Sequence, residues 1–132
     1  MTDEEAAKRA AEIAAANAAI LNSINNLNNE INQLEAKVRQ YQSMNAKINE
    51  AVSQLQVAKS SVSSAASGAK SSYQSRTASQ KAGEITQQQS AIESAIGKLQ
   101  EVLSASNKKI QEFNKKIQNL RSQIYSLRLS LR

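Results

Sequence analysis

The residues that could do chemistry are scattered and few in kind. The chain of 132 residues contains no His and no Cys. It therefore lacks the commonest general base near neutral pH and the thiol that serves as nucleophile or ligand. Its carboxylates do not converge: Glu30 and Glu35 flank an apolar stripe instead of facing a cleft. Serine is plentiful, but a hydroxyl with no base beside it is a polar group and not a nucleophile. No Gly-rich phosphate loop and no metal-ligand spacing occurs. The expectation is a protein that is not an enzyme, with no catalytic, cofactor-binding or metal-binding residues and no small-molecule ligand.

Charge is the next resource. The formal net charge of +6 is uneven. Lys108, Lys109, Lys115, Lys116, Arg121, Arg128 and Arg132 crowd the C-terminal stretch against the single acid Glu112, while Asp3, Glu4, Glu5 and Glu12 make the start acidic. A basic stretch can attract nucleic acid or an acidic membrane. A nucleic-acid binder would more often carry interleaved aromatics or a known module, and neither is present. Solvated flanking charge on a coiled coil is the preferred reading, with nucleic acid the least favoured. No apolar run approaches the ~20 residues that cross a bilayer. The opening Met1-Thr2-Asp3-Glu4-Glu5 is acidic where a signal peptide would be basic. No transmembrane segment and no cleaved signal are expected.

The elements that must position any surface are helices. With no Pro and only 3 Gly, little interrupts a helix, and Ala, Gln, Lys, Glu and Leu favour one. Few aromatics and much Ser, Asn and Gln argue for a thin seam over a thick core. The first half carries one heptad register. Its d positions are Ile13, Ile20, Leu27, Leu34, Tyr41, Ile48, Leu55 and Val62, and its a positions Asn17, Ile24, Ile31, Val38, Asn45, Val52 and Lys59. Only Asn17, Asn45 and Lys59 break the stripe, and such polar a residues can fix register at a cost in stability. The second half has a different phase. Its a positions are Ala82, Gln89, Ile96, Leu103, Ile110, Ile117, Ile124 and Leu131, and its d positions Ala78, Ile85, Ile92, Leu99, Ser106, Phe113, Leu120 and Leu127. Here Gln89 and Ser106 are the breaks.

Between the two phases lies a Ser-rich stretch bracketed by Gly68 and Gly83. Serine competes for backbone hydrogen bonds and weakens helix locally. The chain thus reads as all-α, a single unit over 1–132, forming a long antiparallel two-helix hairpin. Helix 1 is expected over about 3–64, a Ser-rich turn near 65–78, and helix 2 over about 79–131. Thr2 with Glu5 has capping-box spacing, and Thr77 with Gln80 could cap the second helix. Folding back near residue 72 sets Ile13 opposite Leu131, Ile20 opposite Ile124, Leu34 opposite Ile110, Ile48 opposite Ile96 and Val52 opposite Ile92, with the stripes ending flush. The rival is a homo-oligomer of one long helix, against which the phase break argues.

Two surfaces fall outside the seam. On the g flank, Met44 opposite Val102 and Ala51 opposite Ala95, with Ala58 on the same edge, widen the apolar surface and leave room for a third helix. Broadening of the seam for its own stability explains this edge equally well. Nearer the free ends, Leu21, Tyr125 and Leu129 fall off the seam and could form a second patch, although isolated surface apolar residues are ordinary.

The repeat from Ile20 to Tyr41 (ILNSINNLNNEINQLEAKVRQY), the small-residue centre from Ala66 to Tyr73 (ASGAKSSY) and the closing KKIQNLRSQIYSLRLSLR resemble the small α-helical proteins associated with LXG-domain toxins of the bacterial type VII secretion system, relatives in layout of the WXG-type hairpins. The resemblance is one of length, periodicity and layout over most of the chain. It implies a chaperone-like targeting partner that binds the helical N-terminal region of a secreted toxin, alone or with a sister helical subunit. It also implies a cytoplasmic protein before export, secreted with its partner without a cleaved signal. Trp-x-Gly is missing, Ser67-Gly68 with Tyr73 standing nearest to it. No aromatic-x-x-x-acid export signal occurs, so the resemblance leaves that signal to the partner. A generic coiled-coil scaffold or adaptor is the alternative function.

Overall fold

In the computed structural model the chain is all-helical. Helix α1 spans Asp3–Ser72 and helix α2 spans Ser75–Leu129, and the two pack against each other as an α-helical hairpin. The structure describes residues 2–72 and 75–132, with side chains described for all of these except 66, 69–72 and 75–78.

The start of α1 is the expected capping box. The Glu5 backbone N–H donates to Thr2 Oγ1 at 3.2 Å, and the Thr2 N–H donates to Glu5 Oε2 at 3.2 Å. Asp3, Glu4 and Glu5 in the first turn oppose the positive end of the helix dipole. At the other end, Arg128 sits in the last turn of α2. That helix closes with tighter i→i+3 bonds, from Ser130 N–H to the Leu127 carbonyl at 3.0 Å and from Leu131 N–H to the Arg128 carbonyl at 3.2 Å.

Helicity runs through most of the stretch where the sequence predicts a turn. α1 continues to Ser72 instead of stopping near 64, and α2 begins at Ser75 instead of 79. Thr77, expected to cap the second helix, lies inside it, and Tyr73 lies outside the described residues. Nothing in the stretch forbids a helix. Serine costs at most ~0.7 kcal/mol per residue against Ala, and its hydroxyl can bond back to the preceding turn. Ser67 Oγ does so to the Ser63 carbonyl at 3.3 Å, as does Thr86 Oγ1 to the Ala82 carbonyl at 2.8 Å. Gly68 and Gly83 lie within the helices without positive φ.

The hairpin divides into two compact units. In the first, Met1–Gln40 with Lys109–Arg132, the seam is well covered. Ile24, Ile31, Leu34 and Val38 from α1 and Ile117, Leu120 and Ile124 from α2 form its buried core, with Ile20, Leu27, Ile110, Phe113 and Leu127 packed around it. Burying a side chain of this size is worth about 1.5–3 kcal/mol, so this cluster is the main source of cohesion in the unit. The cross-helix polar contacts run antiparallel. Asn17 Nδ2 donates to the Arg132 carbonyl at 3.2 Å while Arg132 N–H donates to Asn17 Oδ1 at 3.1 Å. Arg121 pairs with Glu35 at 3.0 Å.

In the second unit, Tyr41–Lys108, the seam is thinner: among the described residues, Ile48 is its buried apolar residue and Ser106 its buried polar one. The contacts here are polar. Asn45 Nδ2 donates to Asn107 Oδ1 at 2.9 Å, Lys59 pairs with Glu93 at 2.8 Å, and Gln89 Nε2 donates to Ser63 Oγ at 2.7 Å.

These contacts correct the expected pairing by one heptad in each unit. Asn45 faces Ser106–Asn107 and not Leu99, and Lys59 meets Glu93 and not Ile85. Glu35 reaches Arg121 and Asn17 meets Arg132, each farther along α2 than a fold about residue 72 would place it. Leu131, expected opposite Ile13 at the end of the seam, is 36% exposed. A heptad stripe looks the same after a slip of seven residues, so apolar periodicity alone cannot choose. The polar breaks choose. In the expected register Asn45, Lys59, Gln89 and Ser106 would each face an aliphatic residue. In the observed one Asn45, Lys59 and Gln89 bond to Asn107, Glu93 and Ser63, which lowers the cost of covering polar groups, while Ser106 lies beside this layer with its hydroxyl covered.

Candidate protein-binding edge and basic face

The edge proposed from sequence lies in the second unit. Met44, Ala51 and Ala58 stand on α1, Ala95 and Val102 on α2. All but Val102 are half-buried, and Val102 is 47% exposed. The one-heptad correction rearranges them. Lying between the Asn45–Asn107 and Lys59–Glu93 contacts, Ala51 comes level with Val102 and Ala58 with Ala95, while Met44 falls beyond the Asn45–Asn107 contact and no longer comes level with Val102. The result is two tiers of small or short apolar side chains beside the seam, where a helix backbone could approach closely. Val57, 68% exposed on α1, is an apolar residue that the stripe-based reading missed because it belongs to neither the seam nor its flanks.

Leu21, Tyr125 and Leu129 lie in the first unit and are exposed as expected, by 50%, 65% and 70%. Tyr125 and Leu129 are one turn apart on the outer side of α2. Beside them, Asn28, Ile31, Asn32 and Glu35 of α1 and Arg121, Ile124, Tyr125 and Arg128 of α2 line an open groove of about 420 Å³. Heptad lettering places Asn28, Glu35, Arg121 and Arg128 at e positions of their helices, so the signal for this groove was present in the sequence. By residue type alone it is indistinguishable from solvated flanking charge.

The Lys37 ammonium lies 5.8 Å from the centre of the Phe113 ring, within cation–π range, and Lys109 pairs with Glu112 one turn along α2 at 3.5 Å. The cross-helix ion pairs are partly exposed, so each contributes at most about 1 kcal/mol.

Among the described residues, no group of three or more His, Cys, Asp or Glu is placed to hold a metal ion. No helix among them is long and apolar enough to cross a membrane. Compared with protein-family models, curated proteins and solved structures, the chain matches none.

Proposed function

We propose that the chain is a non-enzymatic helical partner that receives the helical N-terminal region of an LXG-type toxin along the edge of its second unit. The observation that supports this is the pair of tiers Ala51–Val102 and Ala58–Ala95. They widen the thinner of the two seams with side chains short enough for a third helix to lie close. Such a helix would cover Val102 and complete the burial that Val52, Leu55, Ile92 and Ile96 have only in part. A secreted toxin's amphipathic helices are ligands of the right chemistry, since they need an apolar groove before export. The resemblance in layout described above names the toxin class.

The test is co-expression of the full chain with the helical region of an LXG toxin, followed by size-exclusion chromatography of the complex. Ala51→Glu with Val102→Glu should abolish co-elution while circular dichroism retains the helical signal. Undiminished binding by that variant would remove this edge from the function. Failure of the unaltered chain to bind any LXG region would leave a generic scaffold as the better reading.

A further inference from the structure

The first unit holds a different surface, and the case for it does not depend on the toxin reading. Its α2 segment, with the three residues that follow the helix, carries Lys109, Lys115, Lys116, Arg121, Arg128 and Arg132 with the single acid Glu112. Pairing neutralises two of these, Lys109 through Glu112 and Arg121 through Glu35. Lys115, Lys116, Arg128 and Arg132 have no carboxylate partner among the described residues. At heptad spacing, Arg121 and Arg128 take e, Tyr125 takes b, and Lys115 and Leu129 take f, one continuous side of α2 running from the flank of the seam outward, with Arg132 following just past the helix end. In the middle of this cationic strip stand Tyr125 and Leu129, more than half exposed, with Leu21 of α1 on the adjoining e flank.

We propose that this side of α2 rests on an anionic phospholipid surface. Tyr125 and Leu129 enter the interfacial layer, and Lys115, Arg128 and Arg132 meet lipid phosphates. Three observations favour a membrane over other anions. Leucine has no flat face on which a base could stack and gains nothing from a sugar–phosphate backbone, whereas leucine and tyrosine both gain by entering the headgroup region. The groove offers no converging set of donors for one discrete anion, because Arg121 is already engaged by Glu35. A strip of separated cations on long stems suits a field of phosphates, each stem lying along the apolar boundary with its charge in the headgroups.

The test uses the full chain and two vesicle preparations, phosphatidylcholine alone and an equal mixture with phosphatidylglycerol, in co-sedimentation at near-physiological ionic strength. Binding is expected to the anionic vesicles and not to the neutral ones. Tyr125→Ser with Leu129→Ser should weaken it about tenfold or more, and Lys115→Gln and Arg128→Gln about fivefold each. Lys47→Gln with Lys98→Gln, which removes the same charge from the second unit, should change it less than twofold. Circular dichroism should show the same helical content throughout. The proposal is overturned if anionic vesicles are not preferred, or if the Tyr125/Leu129 variant binds as well as the parent. It is equally overturned if the Lys47/Lys98 variant loses as much as the Lys115/Arg128 pair, or if duplex DNA binds the chain with the same dependence on Tyr125 and Leu129.

Discussion

The Asn45 side chain donates to Asn107 Oδ1 at 2.9 Å, joining a polar break in the stripe of α1 to the turn of α2 that contains the polar break Ser106. Lys59 with Glu93 and Ser63 with Gln89 repeat the arrangement. Val52 lies midway between Asn45 and Lys59, so it faces the part of α2 midway between Glu93 and Asn107, at Leu99. Cysteines at Val52 and Leu99 should therefore cross-link rapidly under mild oxidation, and cysteines at Val52 and Ile92 slowly. Replacing Asn45, Lys59, Gln89 and Ser106 together by Leu should keep or raise thermal stability and let both pairs cross-link, because only polar mismatch separates the two registers. Selective cross-linking in that variant would show that something else holds the register.

The two polar residues of that layer on α2 should respond in opposite directions. Ser106 is 2% exposed, and its Oγ has no hydrogen-bond partner among the described residues. Ser106→Ala removes a covered, unsatisfied hydroxyl and should stabilise the protein by about 1 kcal/mol. Asn107→Ala strands the Asn45 amide, whose Oδ1 is already unpartnered, and should cost roughly 1–3 kcal/mol. Urea unfolding of the two single variants checks the sign of each. A destabilised Ser106→Ala would mean that the hydroxyl is satisfied in solution.

Gly68, Gly83 and Gly97 all lie inside helices, and a methyl group at each meets nothing within 4 Å. Alanine at any of them should add roughly 1 kcal/mol through helix propensity alone. Thermal melts of the three single variants test this. A loss at Gly68 or Gly83 would show that the helices do not pass straight through those positions.

Most of the architecture was legible in the residues. Two stripes of opposed phase with no proline demand two helices lying against each other, and Thr2 with Glu5 marks the first start. The bend is narrower than its serine content suggests, because serine is only a weak breaker of helix. Its penalty is small, and Ser67 offsets part of it by bonding back to Ser63. Apolar periodicity leaves the pairing open by a heptad, because Ile, Leu and Val repeat in both registers. Only the matching of Asn45, Lys59 and Gln89 to polar partners distinguishes them. For the surfaces, the exposure of Leu21, Tyr125 and Leu129 followed directly from their position off the stripe. The composition of the Ala51–Val102 edge was visible, but its tiers were not, since they inherit the register.

The bond pair between Asn17 and Arg132 has a consequence for the basic side of α2. Both bonds go to main-chain atoms of residue 132, so the mooring is indifferent to which side chain stands there and sensitive to the one amide at position 17. It ties down the segment just past Leu129, at the end most prone to fray. Any ligand that needs Arg128 and Leu129 held on one helical turn therefore depends on an asparagine of the other helix that it never touches.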